Sequence, residues 1–220
     1  MNFRQFMEAE LQKYPRTFHL PWSREITDDD RVLQDIAQFS GKKVVVTEKM
    51  DGENCTMYRD DIHARSLDSG HHPSRSWVKM MHGTIKNDIP EGWRICGENI
   101  YAVHSIKYEA LPSYFLVFSI WNEKNFCLDW GSTKEWCQLL NLKTVPELYV
   151  GEWDEDAIRD LFTGESKMGG EQEGYVVRTY EGFPFEAFKD HVAKFVRKGH
   201  VKTDQFWMSK PVEPNKLAED

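Results

Sequence analysis

The chain has 220 residues, of which 40% are hydrophobic and 29% charged, with thirteen Phe and eight Trp. That composition fits a globular protein and excludes a disordered one, which lacks so many aromatics. A net charge of −8 argues against a protein that coats nucleic acid without selectivity, and the longest apolar run, around Tyr114 to Trp121, is far too short to cross a bilayer.

In chain order, residues 2–13 read as a short amphipathic helix with Phe3, Phe6, Met7 and Leu11 on one face, ended by Tyr14-Pro15. The start of the chain has no charged-then-apolar signal pattern, so the expected location is cytoplasmic. Residues 15–25, with two prolines and several aromatics, read as an ordered loop. Thr27 ahead of Asp28, Asp29 and Asp30 is a cap followed by acids, and predicts a helix to about Phe39. Strands follow at 44–48, 55–59 and 62–66, with turns at Asp51-Gly52 and Asp60-Asp61. They predict a β-meander with Lys49 on its first corner.

Pro73-Ser74 opens a helix to about Asn87, with Trp77, Met80, Met81 and Ile85 at helical spacing. Core strands are expected at 93–100 and 114–121, a shorter one at 126–128, and helices at 133–140 and 154–162. Residues 167–172 form a polar, Gly-rich loop before strands at 174–179 and 192–196. The last dozen residues are polar with two prolines and are expected to be mobile. No repeat is visible. The order is neither strict β-α alternation nor all-β, which points to an α+β fold of mostly antiparallel sheets. The size allows one core, or two small lobes around a cleft. Cys55, Cys96, Cys127 and Cys137 form no Cys-x-x-Cys pair and read as reduced, mostly buried thiols.

Several residues stand out chemically. Lys49 puts a primary amine where a β-branched strand enters a tight turn. It is either a solvated hairpin lysine or a nucleophile, and a nucleophile needs burial or nearby cations to favour its neutral form. Glu98 and Glu173 sit beside glycines at strand edges, where two carboxylates suit a hard cation such as Mg²⁺. Phe118 is predicted to share a face with Tyr114, Leu116 and Ile120, as core or as a ring for stacking on a base. Lys194 is a cation inside an apolar strand. It suits a phosphate contact or a guard against edge pairing. Around it, Lys189, Arg197, Lys198 and Lys202 face a single acid, Asp190. Arg65-Ser66 suits a ribose, a phosphate or a surface ion pair. His71-His72-Pro73-Ser74-Arg75 opens a helix, and Arg75 there is either a contact for an RNA 5′-phosphate or an ordinary helix-start residue.

Taken singly these signals are weak, but their order resembles the covalent nucleotidyltransferase superfamily of ATP-dependent RNA ligases, DNA ligases and mRNA capping enzymes. Within it the chain is most similar to the RNA ligases whose prototype is a phage enzyme that seals nicks in duplex RNA. Glu48-Lys49 through Gly52 and Asn54 resembles motif I, and Arg65-Ser66 motif Ia. Glu98 resembles motif III, Phe118 the stacking aromatic, Glu173 motif IV and Lys194 motif V. The resemblance spans roughly residues 40–200. One departure is Val196, where such ligases commonly have a second motif V lysine, so that role passes to Arg197 or Lys198 or is absent.

The resemblance implies a nucleotidyltransferase, ATP-grasp-like domain at 41–205 with the nucleotide cleft between its sheets. Residues 1–40 would be a helical segment packed on it, and 206–220 a tail. No OB or C-terminal ligase domain is expected in this chain; a partner protein is one way to replace it, and the sequence leaves open whether one is needed. It also implies ATP and Mg²⁺ (or Mn²⁺) as cofactors, and RNA with 5′-phosphate and 3′-hydroxyl ends as substrate, in RNA repair. Lys49 would carry AMP, with Asp51 orienting it. Glu48, Gly52, Asn54, Arg65, Glu98, Phe118, Glu173, Lys194 and Lys198 would bind the nucleotide, and Glu98 and Glu173 the metal. A minimal DNA ligase, a GTP-using guanylyltransferase and a non-catalytic RNA-binding module remain as alternatives.

Overall fold

A computed structural model describes residues 11–68, 70–199 and 211–219. The strands in chain order begin with β1 (Phe18–His19), β2 (Lys43–Lys49), β3 (Glu53–Met57) and β4 (Ile62–Ala64). After helix α1 (Ser76–Ile85) come β5 (Arg94–Asn99), β6 (Phe115–Trp121) and β7 (Phe126–Cys127). Helix α2 (Trp130–Leu139) leads to β8 (Lys143–Thr144) and β9 (Glu147–Glu152), and α3 (Glu155–Arg159) to β10 (Gly174–Thr179), β11 (Phe183–Pro184) and β12 (Val192–Val196). They build two sheets. One has the order β1-β12-β10-β2-β9; the other runs β11-β7-β6-β5-β3-β4, with β8 alongside β6. Among the pairings of these described strands, β1–β12 and β6–β8 are parallel and the rest antiparallel, so the fold is α+β and mostly antiparallel.

Residue pattern explains the layering. The run Val44-Val45-Val46 in β2 is buried on both faces, as a central strand's near-continuous β-branched run should be. Val44 and Val46 pack with Phe39, Tyr175 and Ile158 on the outer face of the first sheet. Val45 packs inward with Leu116 and Trp130, between the sheets. On the far face of the second sheet, Met57, Ile95, Phe115 and Val117 meet Val78 and Ile85 of α1 and Cys137 of α2. All four cysteines are buried and free. No helix among the described residues is long and apolar enough to cross a membrane.

The strands expected at 174–179 and 192–196 form with those bounds, and the helix from Pro73 forms as a 3-10 turn running into α1. Four expectations are corrected. The stretch 27–39 is no α-helix. The Asp30 carboxylate accepts from the Thr27 amide (3.0 Å) and hydroxyl (2.9 Å), closing a turn, and only Ala37–Phe39 winds, as a 3-10 turn. The capping chemistry acts, but His19 pairs with Val32 and pulls the following chain into an extended path. The meander is also corrected: β2 pairs with β10 and β9, while β3 pairs with β4 and β5. Asp51-Gly52 is therefore a crossing between sheets, not a hairpin turn. Residues 211–219 are docked rather than loose, with Asn215 buried. Lastly, Ile120 leaves the face of Phe118. A bulge between Cys96 and Gly97 opposite Val117 and Ser119 breaks the alternation, so Ile120 joins the α1 side while Leu116 and Phe118 stay between the sheets. Of the helix expected at 2–13, residues 1–10 lie outside the described residues, and 11–13 are not helical.

Candidate active site

The register Gly174↔Lys49 sets Glu173 beside the end of β2, and the Lys49 Nζ donates to Glu173 Oε1 at 2.6 Å. Gly174 is needed for that approach, since a Cβ there would fall 2.0 Å from the Phe195 carbonyl oxygen. Beyond Lys49 the crossing is held tightly. One Asp51 oxygen accepts from the Ser105 amide, the Ser105 hydroxyl and the Ile106 amide, each at 2.8 Å, and the Asp51 amide donates to the Tyr108 hydroxyl at 2.8 Å. Glu98 packs against Gly52, where an added Cβ would fall 3.0 Å from the Glu98 Cγ. A Cβ on Gly52 would lie 2.6 Å from the Asn99 carbonyl oxygen, so the crossing tolerates glycine alone.

Charge follows from this crowding. Burial favours a neutral Lys49, but Glu173 and then Glu98 outweigh it, and the ammonium's pKa is raised above its ordinary value. The neutral amine expected from burial is thus absent at rest, because the carboxylates around it reverse the effect of burial. Glu98 moves the other way for a carboxyl. Burial above all, with Glu173 and Asp51 adding to it against the pull of Lys49, pushes it up to about 8.

Lys49 opens onto a cavity of about 300 Å³ between the two sheets. The first sheet contributes Glu48, Val176, Arg178 and Lys194; the second contributes Asn54, Glu98, Phe118 and Ser119. Arg65 reaches it just after β4, and Tyr14, Arg16, Asp29 and Asp30 close one side from the N-terminal segment. Phe118 is half-buried, with the Tyr14 ring edge-on at 5.1 Å. The buried Arg178 donates to the Leu128 carbonyl at 2.7 Å and reaches the Phe118 carbonyl at 3.5 Å, tying the bulge to β10. Lys194 faces Asp30 at 3.6 Å, and Asp30 in turn meets His19 at 3.1 Å. Burial and the charge on Lys49 both lower the Lys194 pKa. Glu48 is buried; one oxygen accepts from the Lys167 amide at 3.0 Å, and the other has no hydrogen-bond partner among the described residues. Burial raises its pKa.

The structure thus brings Glu48, Lys49, Asn54, Arg65, Glu98, Phe118 and Lys194 to one cavity, with Asp51, Gly52 and Glu173 supporting Lys49 from behind. It leaves out Lys198, Arg197 and Arg75. Lys198 lies exposed in the turn after β12, and Arg197 is paired with Glu171 at 2.6 Å, so neither lines the cavity. Arg75 is buried and forked onto both Glu53 oxygens, one at 2.7 Å, which corrects its reading as a phosphate contact at a helix start. Tyr14, Arg16, Asp30 and Arg178 were not singled out, because they sit in irregular segments or inside an apolar strand with no spacing to mark them. Among the described residues no three His, Cys, Asp or Glu side chains close around one metal position.

Two sheets enclose a strand-end lysine, backed by carboxylates and faced by a second lysine, and these together make up the candidate site. The RNA ligase family model matches residues 42–196, most of the chain, and the protein belongs to that family. No curated protein sequence matches it. Among solved structures, a Naegleria gruberi RNA ligase variant in its apo form is similar at 17% identity and TM-score 0.55, over 86% of this chain and 58% of that one. A second variant of it, with ATP and Mn, is similar at 18% identity and TM-score 0.54, over 86% and 63%. The same ligase with PPi gives 18% and 0.53, over 88% and 63%. The chain spans about three-fifths of the length of these structures, and at such identity the likeness is one of fold.

Proposed function

We propose that the protein is an ATP-dependent RNA ligase that joins 5′-phosphate and 3′-hydroxyl ends through a lysine–AMP intermediate. The observation that carries this reading is the Lys49 amine, held at 2.6 Å from Glu173 on the wall of a cavity that also presents Glu98, Phe118 and Lys194. ATP binds with its base against Phe118 and its phosphates toward Lys194 and Arg65. Lys49 gives a proton to Glu173, and the free amine attacks the α-phosphorus. The bond from that phosphorus to the bridging oxygen breaks, pyrophosphate leaves, and AMP stays on Nζ. A 5′-phosphate oxygen of RNA then takes the AMP. Finally a 3′-hydroxyl attacks the activated 5′-phosphorus, a phosphodiester forms and AMP departs. This chemistry asks mainly for positioning and charge neutralisation.

Mg²⁺ or Mn²⁺ suits the site. Glu98, Glu173 and Asp51 outnumber Lys49, and burial first, with the charges on Glu173 and Asp51 added, pushes Glu98 toward its neutral form. Two carboxylates with substrate phosphates are the usual holders of such an ion, so the lack of a three-residue cluster does not count against it. Glu98 and Glu173 would hold it, and it would offset charge on the phosphates while lowering the Lys49 pKa. In this reading 41–205 is the nucleotidyltransferase unit, and the four reduced thiols fit repair work in the cytoplasm.

The test is transfer of label from α-labelled ATP to the protein, followed by sealing of nicked duplexes. Labelling by ATP but not GTP, lost in Lys49→Ala, together with sealing when the 3′-hydroxyl strand is RNA, supports the reading. RNA retention without covalent nucleotide would instead favour a binding module, and equal sealing of all-DNA nicks a DNA ligase.

A further inference from the structure

The crossing that carries Lys49 is fixed by residues 100–111, a segment that holds no helix and no extended strand of its own. Its shape must therefore be imposed from outside. On one side Asp51 does this, through Ser105, Ile106 and the Tyr108 hydroxyl. On the other side stands Asn215. Its side-chain oxygen accepts from the Tyr108 amide at 2.7 Å, and its side-chain amide donates to the Ile100 carbonyl at 2.8 Å. Its backbone amide donates to the Tyr101 carbonyl at 2.8 Å. Asn215 is 2% exposed, so these bonds do not compete with water. Flanking backbone bonds, from the Val103 amide to the Glu213 carbonyl (2.8 Å) and from the Leu111 amide to the Lys216 carbonyl (3.0 Å), lay residues 213–217 along the loop as a strap.

Tyr108 is the shared link: its amide is bound by Asn215 and its hydroxyl by Asp51, two residues beyond Lys49. We infer that Asn215 is a positioning residue for the nucleophile, holding through Tyr108 and Asp51 the corner from which the Lys49 amine projects. The inference rests on reading Lys49 as the nucleophile. It assigns the strap to the chemical step, not to nucleotide binding, since none of its residues lines the cavity. Misplacing a reacting group by about 1 Å costs on the order of a hundredfold in rate, so even a small relaxation of the loop should register.

The experiment is single-turnover AMP transfer to the full chain at saturating ATP, with ATP affinity measured separately by equilibrium binding. In Asn215→Ala the rate is expected to fall about tenfold or more while ATP affinity stays within about twofold. Tyr108→Phe, which keeps the packing and removes the hydroxyl, is expected to slow the same step. The double variant should lose no more than the slower single one, because both cut one path. Amide hydrogen exchange at Ser105 and Ile106 should rise in both. An unchanged rate in folded Asn215→Ala, a loss confined to ATP affinity, or fully additive losses would overturn the inference. Should Asn215→Ala not fold, an unchanged rate in Tyr108→Phe overturns it equally. A wild-type chain that takes up no AMP sinks the ligase reading and the strap together, whereas a labelled wild type matched by Asn215→Ala sinks the strap alone.

Discussion

Two strand ends in this fold carry basic residues, and they finish in opposite ways. After β2 the chain crosses to the other sheet within a few residues, and Lys49 is enclosed by Glu173, Glu98 and Asp51. After β12 the chain enters a turn at Lys198-Gly199, with the Gly199 φ at 72°; Lys198 is exposed there and Arg197 pairs with the exposed Glu171. Sequence makes the two ends look alike, each a run of β-branched and apolar residues ending in cations. What separates them is what gathers around the cation. A cation becomes chemically unusual when neighbouring residues bring buried acids and backbone amides around it, and stays an ordinary surface charge when it meets only solvent or an exposed acid.

The sharpest way to break this comparison is at Lys49 itself. Lys49→Ala should abolish AMP transfer, a loss of roughly a thousandfold or more, because the group that forms the covalent bond is gone; gel autoradiography with labelled ATP measures it. Next in size is the crossing. In Gly52→Ala the new Cβ meets the Asn99 carbonyl and the Ile100 side chain, so stability should drop by about 2 kcal/mol and AMP transfer with it. Urea denaturation and the labelling rate report the two losses.

A pair of lysine variants sharpens the contrast between strand body and strand end. Lys194→Ala removes a cation from the cavity and should slow AMP transfer about tenfold to a hundredfold, whereas Lys198→Ala should leave it within about twofold. Both are read from initial rates at saturating ATP. An equal loss in the two would mean that the β12 turn reaches the nucleotide after all.

The smallest effect concerns His19, whose pKa is lowered by burial first and then by the charge on Lys194. Its surroundings also include Asp30 at 3.1 Å, the Ser23 hydroxyl at 2.7 Å and the charge on Lys49, with Asp30 pulling the other way. A histidine with a lowered pKa is held neutral by the fold, so its unfolded form binds the proton more readily. Its contribution is complete above its ordinary pKa of 6.5 and is lost as pH falls below that value toward the folded pKa. Thermal melts of wild type and His19→Gln should therefore converge as pH drops from 7.5 to about 5. Curves that stay parallel would remove the titration from the account.

Much of the fold could be read in advance where one local signal matched one environment. The strands at 174–179 and 192–196 are mostly apolar runs, broken by Arg178 and Lys194, with interior places in a sheet, and α1 follows a proline start and buries Val78 and Ile85 on one face. The sequence was less informative where one signal serves two outcomes. Asp51-Gly52 reads as a hairpin turn as readily as a crossing, and only long-range pairing of β2 with β10 decides between them. Thr27 with its acids reads as a helix start, yet Asp30 uses its carboxylate on Thr27, His19 and Lys194. The polar stretch at 211–219 reads as a loose tail because no periodicity marks a segment whose one buried residue, among those described, is an asparagine and whose other anchors are backbone bonds.

The candidate site shows the same split. Lys49, Glu98, Glu173, Phe118 and Lys194 were visible as a series because each stands out on its strand. Tyr14, Arg16 and Arg178 were not, since an aromatic in a loop and an arginine in a strand have many other uses. Arg75 looked like a helix-start cation and proved to be the partner of Glu53, a pairing that no spacing reveals.

The most direct measurement is the mass of the Lys49 peptide after the purified chain meets ATP and Mn²⁺. The account predicts the added mass of one adenylate on that peptide, sensitive to acid as a phosphoramidate is, and gone in Lys49→Ala. An unmodified Lys49 peptide, or adenylate found on another residue, would contradict it.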